Sequence, residues 1–507
     1  MTRRTSLVAV LAALGLAALL PGCIPDPPGG AARAAHTDVP ATFGGETPAD
    51  GGGEGASDGA TAAGEDESSS AEVDWHDFFE DAHLVSLIDA ALQNNQELNI
   101  AVQEMIVRNS EVMARRGDIF PSLSAGVGAG VERVGSITSQ GRSDEANGVP
   151  TDLPDFQIGV YASWEADIWG RLRDTADAAM YRYLASAEGR NFMITRLVAE
   201  IATEYYELLA LDRRLRILDD TIALQESALE MVRIQQQAAH VTMLAVRRFE
   251  AQLLGFQSRR FEIQQDIVAR ENQINFLLGR FPQHVDRTTD DFLAIPAPAI
   301  RAGVPTRLLE NRPDVRQAEH ELTASQLSVS AARAAFYPAL RLDAGVGLRS
   351  YDITQLVTTP ASIFYNLLGG LTAPLLNRSG ITADYYAANA QQMEAVLRYE
   401  RTILQAFVEV STGLARVRNL ASAYETRSEQ VARLQEAVDL STLLFNAARA
   451  EYLEVLTTRS DYLEAQMDLV DTKQRQLQAT VTLYQALGGG WRVHDQPADP
   501  EPMGAQP

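Results

Sequence analysis

The 507-residue sequence predicts a mainly α-helical fold with a small β part: long antiparallel coiled-coil helices joined to two β-hairpins, the whole arrangement written twice. Three observations predict it. Asn94 to Gly130 lines up with Asn311 to Gly347 without a gap, pairing Arg116 with Arg333 and Pro121 with Pro338, and Ala238 to Gly279 lines up in the same way with Ala447 to Gly488. Two proline-free stretches, Arg171 to Ala238 and Ser379 to Ala447, carry apolar residues every seven positions. Short runs between these features switch to strict alternation.

Each copy opens on a helical stretch, about Leu84 to Asp118 and about Pro305 to Arg333, which Pro121 or Pro338 stops because proline has no N–H to continue the ladder. Leu123, Ala125, Val127, Ala129 and Val131 then alternate with serine, glycine and Glu132. After Pro338 the apolar set is Leu340, Leu342, Ala344, Val346 and Leu348, against Arg341, Asp343 and Arg349 on the other face. A polar loop leads to a second strand in each copy, through Phe156 to Trp164 and Ile363 to Leu371. The long stretches follow, with Ile201, Leu208, Leu215, Ile222 and Leu229 as the seam of one and Val410, Val417, Tyr424, Val431, Val438 and Phe445 as that of the other. At 1.5 Å per residue each reaches about 100 Å. Shorter helices, Leu244 to Leu278 and Leu453 to Leu487, double back, so the turns near Ala239-His240-Val241 and Ala448-Arg449-Ala450 lie at the end far from the strands.

Four strands do not close a membrane barrel, since the smallest use about eight and lipid tolerates no open edge. Strands with one uncharged face and one charged face fit a lipid-facing wall around a wet lumen, provided several chains pool them. Two copies supply eight strands and three supply twelve, and periodicity does not choose. Leu340, Leu342, Ala344, Val346 and Leu348 are then the lipid-facing set.

At the N-terminus, Arg3 and Arg4 precede an apolar run from Leu7 to Leu20, too short to span a bilayer and ordered like an export signal. It ends in Leu20-Pro21-Gly22-Cys23, which resembles the lipobox of bacterial lipoproteins. That resemblance makes Cys23 the lipid-bearing first residue of the mature chain. Ile24 rather than aspartate in second place favours the outer membrane. Ile24 to Glu72 holds ten acidic residues against Arg33 and little apolar surface, the composition of a disordered tether. The expected organisation is a signal peptide over 1–22, lipidated cysteine and tether over 23–72, repeats over 73–295 and 296–491, and a disordered tail over 492–507.

Composition removes other classes. The chain has 43 basic and 67 acidic residues, a formal charge of −24, whereas a nucleic-acid partner needs a positive face to displace counterions. The acidic balance favours a cation-preferring lumen. One cysteine excludes an intrachain disulfide framework, and the seven scattered histidines offer neither a metal site nor a catalytic constellation.

Several segments in fixed order carry a wider likeness: Trp75 to Phe79, Asn311-Arg312-Pro313-Asp314-Val315, Ala331 to Pro338, Tyr452-Leu453-Glu454-Val455-Leu456 and Ala486 to Trp491. Together they resemble the outer-membrane factor family of tripartite efflux systems, in particular its lipoprotein branch. The resemblance implies a homotrimer in the bacterial outer membrane, with a twelve-stranded barrel continuing into a twelve-helix periplasmic tunnel. It implies a periplasmic adaptor and an inner-membrane pump of the resistance-nodulation-division type as partners, no enzymatic activity, and no cofactor beyond the lipid. Ala239, His240, Val241, Ala448, Arg449 and Ala450 become the adaptor-contacting tips, and Leu453, Thr457, Ser460 and Asp461 the periplasmic aperture. Two departures stand out. Ala239 and Ala448 occupy turn positions where the family usually has glycine, and Thr457 and Ser460 replace an aspartate and an arginine at the aperture. The competing readings are a lipoprotein coiled-coil adaptor or scaffold, and a channel for type I protein secretion or metal-ion export.

Overall fold

A computed structural model describes residues 24–28, 33–40, 43, 69–238, 241–287, 292–373, 378–447 and 449–492. The expected signal peptide, Cys23, most of the tether, the tip residues Ala239, His240 and Ala448, and the tail beyond Arg492 lie outside these residues.

The first half runs α1 (Trp75–Phe78), α2 (Ala82–Asn94), α3 (Gln96–Gly117), β1 (Ser122–Arg133), α4 (Ser139–Ala146), β2 (Asp152–Ala166), α5 (Arg171–Gln237) and α6 (Met243–Leu277). The second runs α7 (Leu308–Asn311), α8 (Pro313–Ala334), β3 (Ala339–Ser350), β4 (Ile363–Thr372), α9 (Ser379–Asn446) and α10 (Tyr452–Ala486). Corresponding helices match closely in length: 22 residues in both α3 and α8, 67 and 68 in α5 and α9, 35 in both α6 and α10.

The single helix expected from Leu84 to Asp118 is two. Asn95 adopts an extended conformation, its side-chain oxygen accepts from the Leu98 N–H, and its amide donates to the Leu277 carbonyl. One residue thus caps α3 and ties its start to the end of α6. The corresponding break in the second half falls at Arg312, where Pro313 opens α8 at the first helical position, whose N–H would have no intrahelical partner. Arg312 is buried, and its guanidinium meets Asp314, Glu409 and the Ala486 carbonyl. Both junctions contain a glycine in the left-handed region. A Cβ on Gly279 would stand 2.5 Å from the Asn94 carbonyl oxygen, and one on Gly488 2.5 Å from that of Asn311.

The four strands form one antiparallel sheet in the order β1-β2-β3-β4, and among the described residues β1 and β4 have no outer neighbour. Register places Ala125, Val160, Val346 and Tyr365 in one row across all four strands, with Val127, Ile158, Leu348 and Ile363 in the next and Ala162, Ala344 and Leu367 beyond. This parity is uncharged except at its end, where Arg133 faces Asp152. Leu340, Leu342, Ala344, Val346 and Leu348 therefore share one face, as alternation predicts. On the opposite face Arg349 forms a two-pronged pair with Asp155 at 2.8 and 2.7 Å, and Ser163 donates to Asp343. The glycines of that face seat two rings: Tyr161 lies against Gly126 and Gly345, Phe364 against Gly159 and Gly347.

The helices pack side by side. Near the sheet the order is α3, α5, α8, α9, and farther away it is α6, α5, α10, α9. The main core, including Trp75, Leu84, Ile88, Ile201, Tyr205 and Tyr484, holds α1 and α2 onto α5 and α10.

Candidate functional site

One side of the molecule is bounded throughout by first-half elements (β1, α3, α6) and the other by second-half elements (β4, α9). Both sides carry exposed apolar residues at heptad spacing, the pattern of helices seeking coiled-coil partners. On α6 these are Leu254, Phe261 and Val268; on α3, Ile106 and Met113; on α9, Leu397 and Leu404, followed by Val408.

A groove of about 1050 Å³ runs across α3, α5, α8 and α9. Five arginines (108, 182, 190, 196 and 398) and four glutamates (97, 104, 321 and 394) line it. Arg196 pairs with Glu97 at 2.9 Å and Arg398 with Glu394. The groove is therefore nearly neutral, whereas the total charge of the chain favoured a cation-preferring passage. The total charge of the chain therefore does not describe this face.

At the far end, Leu453 is the second residue of α10 and is 41% exposed. The Thr457 hydroxyl donates to the Leu453 carbonyl one turn earlier. Leu453, Thr457, Ser460 and Asp461 fall within about 100° of one another around the helix, so the four expected aperture residues share one stripe. Exposed Glu464 and Asp468 continue it, with Arg427 3.3 Å from Asp468. Sequence reasoning stopped short of these two, although the i+11 and i+15 positions from Leu453 were readable. Behind the stripe, Tyr452 and Leu456 pack on Leu229, Val232, Ala245, Val246 and Phe249, so the two hairpin ends touch through an apolar cluster. Of the expected tip residues, Val241 and Ala450 are half-buried and Arg449 is exposed. Burial without an acidic partner pushes the Arg459 guanidinium below its ordinary pKa.

Among the described residues no cluster of three His, Cys, Asp or Glu side chains is placed to hold a metal, and no helix is long and apolar enough to cross a membrane.

The profile of the outer membrane efflux protein family matches residues 87–280 and 304–489, two stretches of similar length that together take in every long element. The chain belongs to that family. Its curated relatives include the solvent efflux pump outer membrane protein SrpC of Pseudomonas putida, 29% identical over 422 residues, covering 82% of this chain and 87% of the relative. The cation efflux system protein CusC of Escherichia coli O6:H1 is 27% identical over 421 residues, with 82% and 88% covered. A membrane protein crystal structure from Pseudomonas aeruginosa superposes with a TM-score of 0.78 at 26% identity, covering 83% of this chain and 93% of that one. The open state of the MtrE outer membrane channel of Neisseria gonorrhoeae gives 0.76 at 24%, covering 93% and 99%, a likeness of fold. This efflux protein is thus an outer-membrane transport channel by descent and by architecture.

Proposed function

We propose that three copies of this chain close a passive, gated conduit through the outer membrane, which carries small molecules delivered by a periplasmic adaptor and an inner-membrane pump of the resistance-nodulation-division type. The observation that carries the reading is the sheet, which among the described residues has four strands, two unpaired edges and one face uncharged but for its end. Pairing β4 of one copy with β1 of the next is a head-to-tail contact, and such contacts form a ring when the rotation closes. The apolar stripes of α3 and α6 on one side and α9 on the other fit the same operation. Twelve strands and twelve helices follow from three copies, and the likeness of the two halves gives the ring pseudo-sixfold character.

The uncharged face, through Leu340 to Leu348, then meets lipid, while Arg349, Asp155 and Asp343 face water. Nine residues of tilted strand cover most of an apolar band about 25 Å tall. Exposed Trp164 and Trp169 sit at the base of the sheet, where amphipathic rings favour the membrane interface. The nearly neutral groove lines the tunnel, so the wall selects weakly by charge and suits cargo of mixed character. Lipid on Cys23 anchors the chain to the outer membrane. The hairpin ends around Ala239, His240, Val241, Ala448, Arg449 and Ala450 meet the adaptor, and the stripe from Leu453 to Asp461 rings the mouth. With Thr457 in place of a carboxylate, closure rests on the apolar cluster behind Tyr452 and Leu456. Opening is a shift between two packings of these hairpins.

The conduit catalyses nothing; the pump supplies the energy and the channel supplies an aqueous path. Extraction tests the membrane part. Washed envelopes release the chain only into detergent; release of a C23S variant, which has no lipid, by salt or alkaline wash would show that its uncharged face meets no bilayer.

A further inference from the structure

Within the stretch expected to be a tether, residues 33–40 and Phe43 lie along α9. Both Arg33 η nitrogens donate to Glu400, at 2.5 Å to Oε1 and 2.8 Å to Oε2, and the His36 N–H donates to the same Oε1 at 2.8 Å. Farther on, the Phe43 ring stacks on Phe407 at 5.6 Å, and the Ser411 hydroxyl donates to the Phe43 carbonyl. Positions 400, 407 and 411 form one stripe of α9, turned away from Gln391, Glu394 and Arg398 in the groove. The segment therefore runs on the face opposite the passage.

Why it docks there follows from comparing the halves. Gly279 and Gly488 set an offset of 209, which maps buried Ile194, Leu197 and Ile201 of α5 onto buried Ile403, Ala406 and Val410 of α9. On α5 this stripe packs in one cluster with Leu84, Leu87 and Ile88 of the 13-residue α2. The second half has only the four-residue α7 at that place. Its stripe packs with Leu308 of α7 and is completed by Ala35, Val39 and Phe43. Arg33 and the His36 N–H pull the Glu400 pKa down to about 2, so the carboxylate stays charged at any pH the periplasm reaches.

We propose that residues 33–40 and Phe43 act as a fixed strap that replaces the missing helix, and that the Arg33–Glu400 clamp meters the reach of the lipid anchor. The metering half rests on the anchor reading above. Cys23 and Arg33 are ten positions apart in the sequence, a distance the chain spans to at most about 33–36 Å. Glu400 lies 21 residues along α9 from its start beneath the sheet, about 32 Å at helical rise. With the clamp closed, the anchor just reaches the base of the barrel and has almost no slack.

The test uses the full-length chain in envelopes, where lipid consumes Cys23 and the thiols of an R33C/E400C variant are the sole reactive pair. A short bismaleimide should crosslink them several-fold more efficiently than the control pair R33C/R418C. Deleting residues 25–30 leaves a reach of about 14 Å, so it should cut the yield several-fold in lipidated protein and leave it unchanged in a C23S background. A yield no higher than the control overturns the strap, and an unchanged yield in the lipidated deletion overturns the metering. If intact mass shows no lipid on the unaltered N-terminus, the anchor reading fails and the metering falls with it, while the R33C/E400C yield still decides the strap.

Discussion

Replacing Val346 with arginine should leave the protein unassembled in the outer membrane. Val346 stands in an uncharged row with Ala125, Val160 and Tyr365 and is 55% exposed in the single chain. A guanidinium on the lipid face of a barrel costs about 2–4 kcal/mol near the bilayer midplane. In a ring of three every copy bears this cost, a large fraction of a typical folding stability of about 5–15 kcal/mol per domain. Asn366 is next to Tyr365 on β4 but has the opposite parity, so Asn366→Arg puts the same charge on the wet face and should assemble normally. The measurement is the fraction of heat-modifiable, detergent-extractable oligomer in outer-membrane preparations of the two variants. Normal assembly of V346R would mean that the two faces of the sheet have been exchanged.

The second large effect is expected at Gly488. Its φ of +90° is strained for any L side chain, and a Cβ would meet the Asn311 carbonyl oxygen at 2.5 Å and the Arg312 Cα at 3.1 Å. Left-handed backbone costs about 1–2 kcal/mol for a non-glycine residue, and forced contact with fixed backbone adds about 1–3 kcal/mol. Gly488→Val should therefore lower the thermal midpoint of helix unfolding in detergent by many degrees. Gly279→Val should do the same, because Gly279 meets the Asn94 carbonyl in the same way. The control is Gly255, on α6, where a Cβ would meet nothing within 4 Å; Gly255→Ala should hold or slightly raise the midpoint. A midpoint unmoved by Gly488→Val would show that the junction between α10 and α8 yields without cost.

These two sites also show what the sequence discloses. Parity along β1 and β3 was legible because a strand has period two and both hairpins write it in full. The long helices were legible because each proline-free stretch exceeds sixty residues and carries an apolar seam at heptad spacing. The breaks at Asn95 and Arg312 were missed: each lies within a helical pattern, and although Pro313 marks a helix start, it is the tertiary contact of the side chain, with Leu277 or with Glu409 and Ala486, that fixes the end. The strap was invisible for a related reason. Arg33 and Glu400 are 367 residues apart, and although Arg33 is the one basic residue of its acidic stretch, nothing in the sequence singles out Glu400 as its partner among the carboxylates of the helices. The pairing of glycines with Asn94 and Asn311 was present in the alignment of the halves, but its cause, a close approach of two backbones, needed three dimensions. The function came from the resemblance and from the shortage of strands together, since no side-chain constellation announces a channel.

Native mass spectrometry of the detergent-extracted protein tests the central claim most directly. The account predicts one species at three times the mature chain mass, each chain carrying the added mass of the lipid on Cys23. A monomer, or a dimer closing eight strands, would contradict it.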